Sequence, residues 1–194
     1  MSLSNQNLII QNNYTIELYS NNKKLPSSNN VFKISNNQPI NIKLYNNNSS
    51  RCDVHIYTQN DKKLIGIYRI NPHNSILISE KKIKKNMSLN LLFKPEAGSC
   101  GYGCIQEYDK YCTNTDDKPT MKTGPKGEVN IYSNNQKFCK FGPDYINQFD
   151  EWTRQYQQST GNLKSVINSD GKIVPSLNDI DYSRVSKMSI QIGG

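Results

Sequence analysis

Histidine occurs twice in 194 residues, tryptophan once and arginine four times. With so few imidazoles, no Cys–His pair, Ser–His–Asp set or HExxH helix can be assembled from neighbouring positions. His55 falls on the outward side of an alternating run and His73 in a proline turn, so both read as inert. The expectation is that the chain is not an enzyme and takes no cofactor. Scarce arginine without arginine–aromatic clusters also argues against a dedicated nucleic-acid reader. Long apolar runs are missing too. Nothing approaches the roughly 20 residues of a membrane-spanning helix. The opening MSLSNQNLIIQNN has neither the apolar core nor the basic flank of a secretory leader. A soluble protein made in the cytoplasm, with no membrane span, is the expectation.

Hydrophobic residues make up 35% of the chain, and its mean hydropathy is −0.75. Polar residues dominate, asparagine above all, and often in pairs (QNN, SNN, YNNNSS). Asparagine competes for local backbone hydrogen bonds and so favours turns over helix interiors. Asn, Lys, Ile and Tyr all have AT-rich codons, and coding bias explains the abundance without any prion-like role. The same bias explains the formal charge of +8. An acidic partner such as nucleic acid or a neighbouring protein is the other explanation. The densest cluster is EKKIKK at 80–85, which reads as a solvated loop. Sequons at Asn13, Asn47, Asn48 and Asn86 are expected by chance in so asparagine-rich a chain.

The first hundred residues read as short strands between polar turns. In YTIELY, Tyr14, Ile16 and Leu18 share a face, with Thr15 and Glu17 opposite. Val31–Ile34 is a short strand. Ile40, Ile42 and Leu44 point one way, Asn41, Lys43 and Tyr45 the other. Cys52, Val54 and Ile56 alternate with Asp53, His55 and Tyr57. Such period-two runs are half-buried strands of a sheet with one wet face. QNDK at 59–62 is a hairpin signal that makes the flanking strands antiparallel neighbours. Pro72 interrupts the ladder before SILIS. Leu89, Leu91 and Phe93 form another inward set, and Met188, Ile190 and Ile192 a last one. A closing strand whose partners lie far back in sequence is a Greek-key trait. About eight strands in all predict an all-β fold, a single antiparallel jelly-roll sandwich at 14–194 behind a flexible N-terminal arm at 1–13.

Residues 96–143 lose this periodicity and read as a long Cys-rich insertion, with one short strand at EVNIYS. Tyr145, Ile146, Phe149, Trp152 and Tyr156, spaced by three and four, predict one helix over 144–158. A polar linker follows. Cys52 belongs to an apolar strand face and reads as core. Cys100, Cys104, Cys112 and Cys139 all fall in the insertion. They fit two disulfides, a four-thiolate zinc site, or unpaired thiols, and CxxxC is a weak match to the paired CxxC of zinc knuckles. Two bridges have three connectivities, and spacing does not choose among them. Asp116–Asp117 and the DIDY of 179–182 lack calcium-loop spacing. GSCGYGC and TGPKGE match no phosphate-binding loop.

The run FKISNNQPINIKLYNNNSSRCDVHIYTQNDKKLIGIYRINPHNSILISEKK, preceded by YTIELYSNNKKLP and followed by LNLLFKPE, resembles the single jelly-roll penton and vertex (minor capsid) proteins of large double-stranded DNA viruses and their virophages. Its most suggestive piece is CDVHIYTQNDKKLIGIYRINPHNSILIS: a strand, a polar turn, a G-x-aromatic-R-apolar-x-P strand end, and a further apolar strand. The likeness covers about 14–96 and the closing SKMSIQIGG, roughly half the chain, and the Cys-rich insertion departs from it. It implies a structural protein of the virion, a pentameric vertex block touching neighbouring capsid proteins. In such a block Tyr19, Tyr45, Tyr57 and Tyr68 are candidate exposed contact residues, ordinary cross-strand pairs being the other reading, and the positive charge faces capsid neighbours or packaged nucleic acid or serves solubility alone. A sandwich module that recognises carbohydrate or a protein partner through its loops is the other reading.

Overall fold

The computed structural model describes residues 9–35, 38–79, 82–97, 120–133, 136–142 and 145–193. In chain order these form β1 (Ile9–Gln11), β2 (Tyr14–Ser20), β3 (Lys23–Lys24), β4 (Ser27–Ser28), β5 (Val31–Lys33), β6 (Ile40–Asn46), β7 (Cys52–Thr58), β8 (Leu64–Ile70), β9 (Asn74–Ser79) and β10 (Ser88–Pro95). Then come β11 (Thr120–Thr123), β12 (Val129–Ser133), β13 (Gln136–Phe141), helix α1 (Tyr145–Thr160), β14 (Ser165–Ile167), β15 (Ile173–Pro175), a 3-10 turn (Tyr182–Arg184) and β16 (Ser186–Gly193). The protein is mostly β, as expected, with one helix among the described residues.

A smaller sheet has the order β1-β2-β6-β9, with β3 also on β2. A larger one runs β15-β14-β8-β7-β10-β16-β5-β4. Most pairs are antiparallel, while β16 meets β5 and β14 meets β8 in parallel. Alternation decides which side chains go inward. Ile16, Leu18, Ile42, Leu44, Ile76 and Ile78 of the smaller sheet share one buried core with Val54, Ile56, Leu89, Leu91, Phe93, Met188, Ile190 and Ile192 of the larger. The rings of Tyr14 and Phe93 stack between the sheets, 4.3 Å apart at their centroids. Each fully buried residue of this kind contributes about 1.5–3 kcal/mol.

The asparagine pairs have a precise use of backbone. Asn12–Asn13, Asn21–Asn22 and Asn29–Asn30 all have positive φ, between 50° and 64°. Each pair is the whole two-residue loop of a hairpin: β1–β2, β2–β3 and β4–β5. Such mirror-image turns match the right-handed twist of the strands they join, and asparagine tolerates the left-handed region they need. The QNDK hairpin also forms: β7 and β8 pair antiparallel, closed by the Thr58 hydroxyl on the Asp61 carboxylate. At the Pro72 turn the chain leaves the larger sheet and enters the smaller one.

Several expectations need correction. The last residues of the expected flexible arm are strand, since Gln11 pairs with Tyr14. The polar linker is not bare loop, because β14 and β15 form a hairpin that extends the larger sheet. Its turn is built by Asn168 Oδ1, which accepts from the amides of Asp170 (3.0 Å) and Lys172 (2.9 Å), with Gly171 at φ +74°. In the expected insertion, β12 covers the predicted strand, and β11 and β13 flank it in a third sheet. Met121, Val129 and Ile131 there form a second small core with Phe149 of α1. The helix lies within two residues of its expected ends, but its buried side carries Phe149, Asp150, Thr153 and Gln157, while Tyr156 is exposed. The deepest revision concerns β7. Asp53 and His55 were assigned to a wet face, and both are buried.

Candidate functional site

What covers that face is an ionic centre. Asp53 and Arg69 are direct cross-strand partners in the β7–β8 register. Arg69 Nε donates to Asp53 Oδ1 at 2.5 Å, and its Nη2 donates to the carbonyl of Pro175 at 2.7 Å. The Leu177 amide donates to Asp53 Oδ2 at 2.9 Å. Arg51, just before β7, donates from Nε to both Glu96 oxygens at 3.0 Å. Its Nη1 reaches Asp150 Oδ1 of α1 at 2.9 Å. Asp150 Oδ2 lies 3.7 Å from Arg69 Nη1, joining the two halves. Arg51 also stands over the Phe149 ring, 5.7 Å from its centroid.

Two guanidiniums thus meet three carboxylates, all at 9% exposure or less. Burial alone would push the Arg51 pKa down, but the charges of Asp150 and Glu96 outweigh it and hold it above the ordinary arginine value. Every carboxylate oxygen in the centre faces a guanidinium or an amide. Arg69 Nη1 makes no hydrogen bond among the described residues, and Arg69 and Asp150 help line a small cleft of about 200 Å³. The centre works as a clasp that ties α1 and the 175–177 segment to the larger sheet. Among the described residues no group of three His, Cys, Asp or Glu is placed to hold a metal ion.

Beside the clasp is a cleft of about 450 Å³, lined by His55, Lys94, Tyr156, Gln157, Lys164 and Asn178 among others. Burial pushes the His55 pKa down, the positive charges of Lys94 and Lys164 push it further, and Asp53 opposes them only partly, leaving it at about 4. The ring is therefore neutral near pH 7. The Tyr57 ring stands beside it, 6.3 Å away at the centroids. Gln157 donates to the Ser176 carbonyl at 2.9 Å, and its buried Oε1 accepts nothing among the described residues. A neutral imidazole, an amide oxygen, two lysines and a tyrosine can hold a polar ligand.

The four tyrosines named from sequence go to different places. Tyr19 and Tyr45 share the outer face of the smaller sheet around Glu17, which forms an ion pair with Lys24 at 2.7 Å. Tyr19 Oη donates to Glu17 Oε2 at 3.3 Å, and Lys43 Nζ lies 5.0 Å from the Tyr45 ring centroid. Burial would raise the Glu17 pKa, but Lys24 and the two hydroxyls hold it below the usual carboxylate range. Tyr57 is half-buried on the larger sheet, apart from that pair. Tyr68 does not belong in the set of exposed contacts: it is 3% exposed and part of the main core. Its ring lies over Gly66, where an added Cβ would sit 2.8 Å from Oη.

Cys52 is a buried free thiol, and burial raises its pKa. Cys100, Cys104 and Cys112 lie outside the described residues. Cys139 is placed only by its backbone, paired with Ile131 in β12. Asp116 and Asp117 also lie outside. In the DIDY segment, Asp181 caps the 3-10 turn, accepting from the Ser183 amide at 3.1 Å and Arg184 Nε at 2.6 Å. TGPKGE is the β11–β12 hairpin loop, with Gly127 at φ +84°. The clasp itself was not legible in sequence. The QNDK turn alone pairs Asp53 with Tyr68; a register shift between Ile56 and Tyr57 moves it opposite Arg69, and nothing local ties Glu96 and Asp150 to Arg51. No family model, no curated protein and no solved structure matches the chain.

Proposed function

We propose that the chain is a non-catalytic building block of an icosahedral virus shell, a single jelly-roll protein of the penton or minor capsid type that forms pentamers and meets neighbouring capsid proteins in the virion. The observation that carries the reading is the pairing pattern over 40–95. There β6 pairs with β9, while in the other sheet β7 pairs with both β8 and β10. A ribbon that alternates between facing sheets in this way is how a jelly roll is wound. Two departures remain: β16 takes the place beside β10, and β2 the place beside β6. The clasp is compatible with a rigid block, since its ion pairs tie α1 to the larger sheet. A cyclic ring needs two different flanks of one rigid block to fit each other. In light scattering after size exclusion, the protein is expected near five times 22.2 kDa, alone or with a major capsid protein. A strict monomer that joins no shell protein overturns the reading.

One observation favours a second reading, a sandwich module that binds carbohydrate or a protein partner. The cleft beside α1 has the mixed polar lining of a ligand site. A monomer that retains a glycan on an array, and loses it on replacing Tyr156 with alanine, supports this reading over the first.

A further inference from the structure

The positive charge of the chain is concentrated. Segments 20–35 and 82–90 contain Lys23, Lys24, Lys33, Lys82, Lys84 and Lys85 and no carboxylate. The fold brings the two segments to one end of the sandwich. The Asn30 carbonyl accepts from Gln191 and the Ile192 carbonyl from Asn86, each on β16 or against it. Between them runs a groove of about 710 Å³ lined by Lys23, Lys24, Lys33 and Lys85, with Asn21 and Ser35. Of these lysines only Lys24 has a carboxylate partner, Glu17, among the described residues. Three ammonium groups therefore face the groove without a counter-charge from those residues.

We propose that this groove binds the phosphate backbone of nucleic acid without reading its sequence. The inference stands apart from the shell reading and does not need it. Lysine ammonium groups neutralise phosphates as point charges, and the release of condensed counterions supplies the affinity. Of the apolar residues of the lining, Leu25 and Ile34 are buried and only Pro26 is exposed, and no aromatic residue lines the groove. Base stacking is thereby missing, and a single exposed proline is no amphipathic face that would enter a lipid surface. Lys23 starts β3 and Lys33 ends β5, and the paired asparagine turns at 21–22 and 29–30 close the hairpins to which these strands belong, so the backbone that carries both charges is set before a ligand arrives.

The test is fluorescence anisotropy with a labelled mixed-sequence DNA duplex, titrated from about 50 to 200 mM salt. Three unpaired lysines predict a slope of log affinity against log salt of about −2.7. Lys23→Gln, Lys33→Gln and Lys85→Gln together are expected to remove most of that slope. A control with the same charge change, Lys62→Gln, Lys63→Gln and Lys172→Gln, replaces exposed lysines elsewhere and is expected to keep it. Five of the six sites are exposed and Lys85 is half-buried, and circular dichroism checks that both variants fold. The proposal is overturned if duplex binding is absent at 50 mM salt, if the control loses as much as the groove variant, or if vesicles of anionic phospholipid bind and the duplex does not. Light scattering on the same samples reports assembly separately, so either idea can fail alone.

Discussion

His55 is neutral in the folded protein because burial and the nearby lysines penalise its charge. In the unfolded chain it ionises at the ordinary 6.5, and in the fold at about 4. Between those values the unfolded state holds the extra proton, so stability falls as pH drops from 6.5 towards 4 and levels off below that. After discounting for water that reaches the ring from the cleft, the loss is about 2 kcal/mol. Urea titrations at pH 7 and pH 4.5 are expected to show this gap, and His55→Gln to remove most of it. An unchanged gap in the variant would assign the acid sensitivity to other groups. The burial of this ring was not legible in its strand. Alternation assigns His55 to the face opposite Val54 and Ile56, and that face is indeed where it lies. What sequence did not supply was the second layer over it, because α1 and the 175–177 segment return from some hundred residues later.

At the scale of elements, α1 shows how polar contacts outrank an apolar stripe. Its aromatics at spacings of three and four, Tyr145, Phe149, Trp152 and Tyr156, mark the helix in sequence, yet of these only Phe149 is buried. The fold instead turns Asp150, Thr153 and Gln157 to the sheet, since Asp150 is the bridge between two buried guanidiniums. Removing one partner from such a centre leaves an uncompensated buried charge and costs about 3–5 kcal/mol. Asp150→Asn is expected to lose that much in a urea melt at pH 7. Amides of 145–160 should then exchange faster than those of β7. A loss under about 1 kcal/mol would mean that the helix is held by the Phe149 core and not by the clasp. The small hairpin β14–β15 was legible in principle. NSDG between SVI and KIVP is a turn signal of the same kind as QNDK, but the surrounding polarity hid it.

For the molecule as a whole, the order of strands matters more than their number. Individual strands of 14–95 were readable because one face of each is apolar and period two survives in the sequence. Sheet order was not, because the partners of β16 are set by three-dimensional closure. That strand sits between β10 and β5 in the middle of the larger sheet. Its inward residues Met188, Ile190 and Ile192 are part of the main core. Ending the chain before Ser186 is therefore expected to abolish cooperative thermal unfolding, not merely to lower its midpoint. A shortened protein that still melts in one sharp transition would show that the sheet closes without this strand.

The asparagine doublets carry a consequence for how such a chain changes over time. Mutation pressure towards A and T inserts asparagine codons blindly, and most folds would suffer from the surplus. Here three of the doublets fall where a hairpin loop asks for two residues able to turn the unusual way. At those bends a coding bias towards asparagine and the geometry of the backbone favour the same residue.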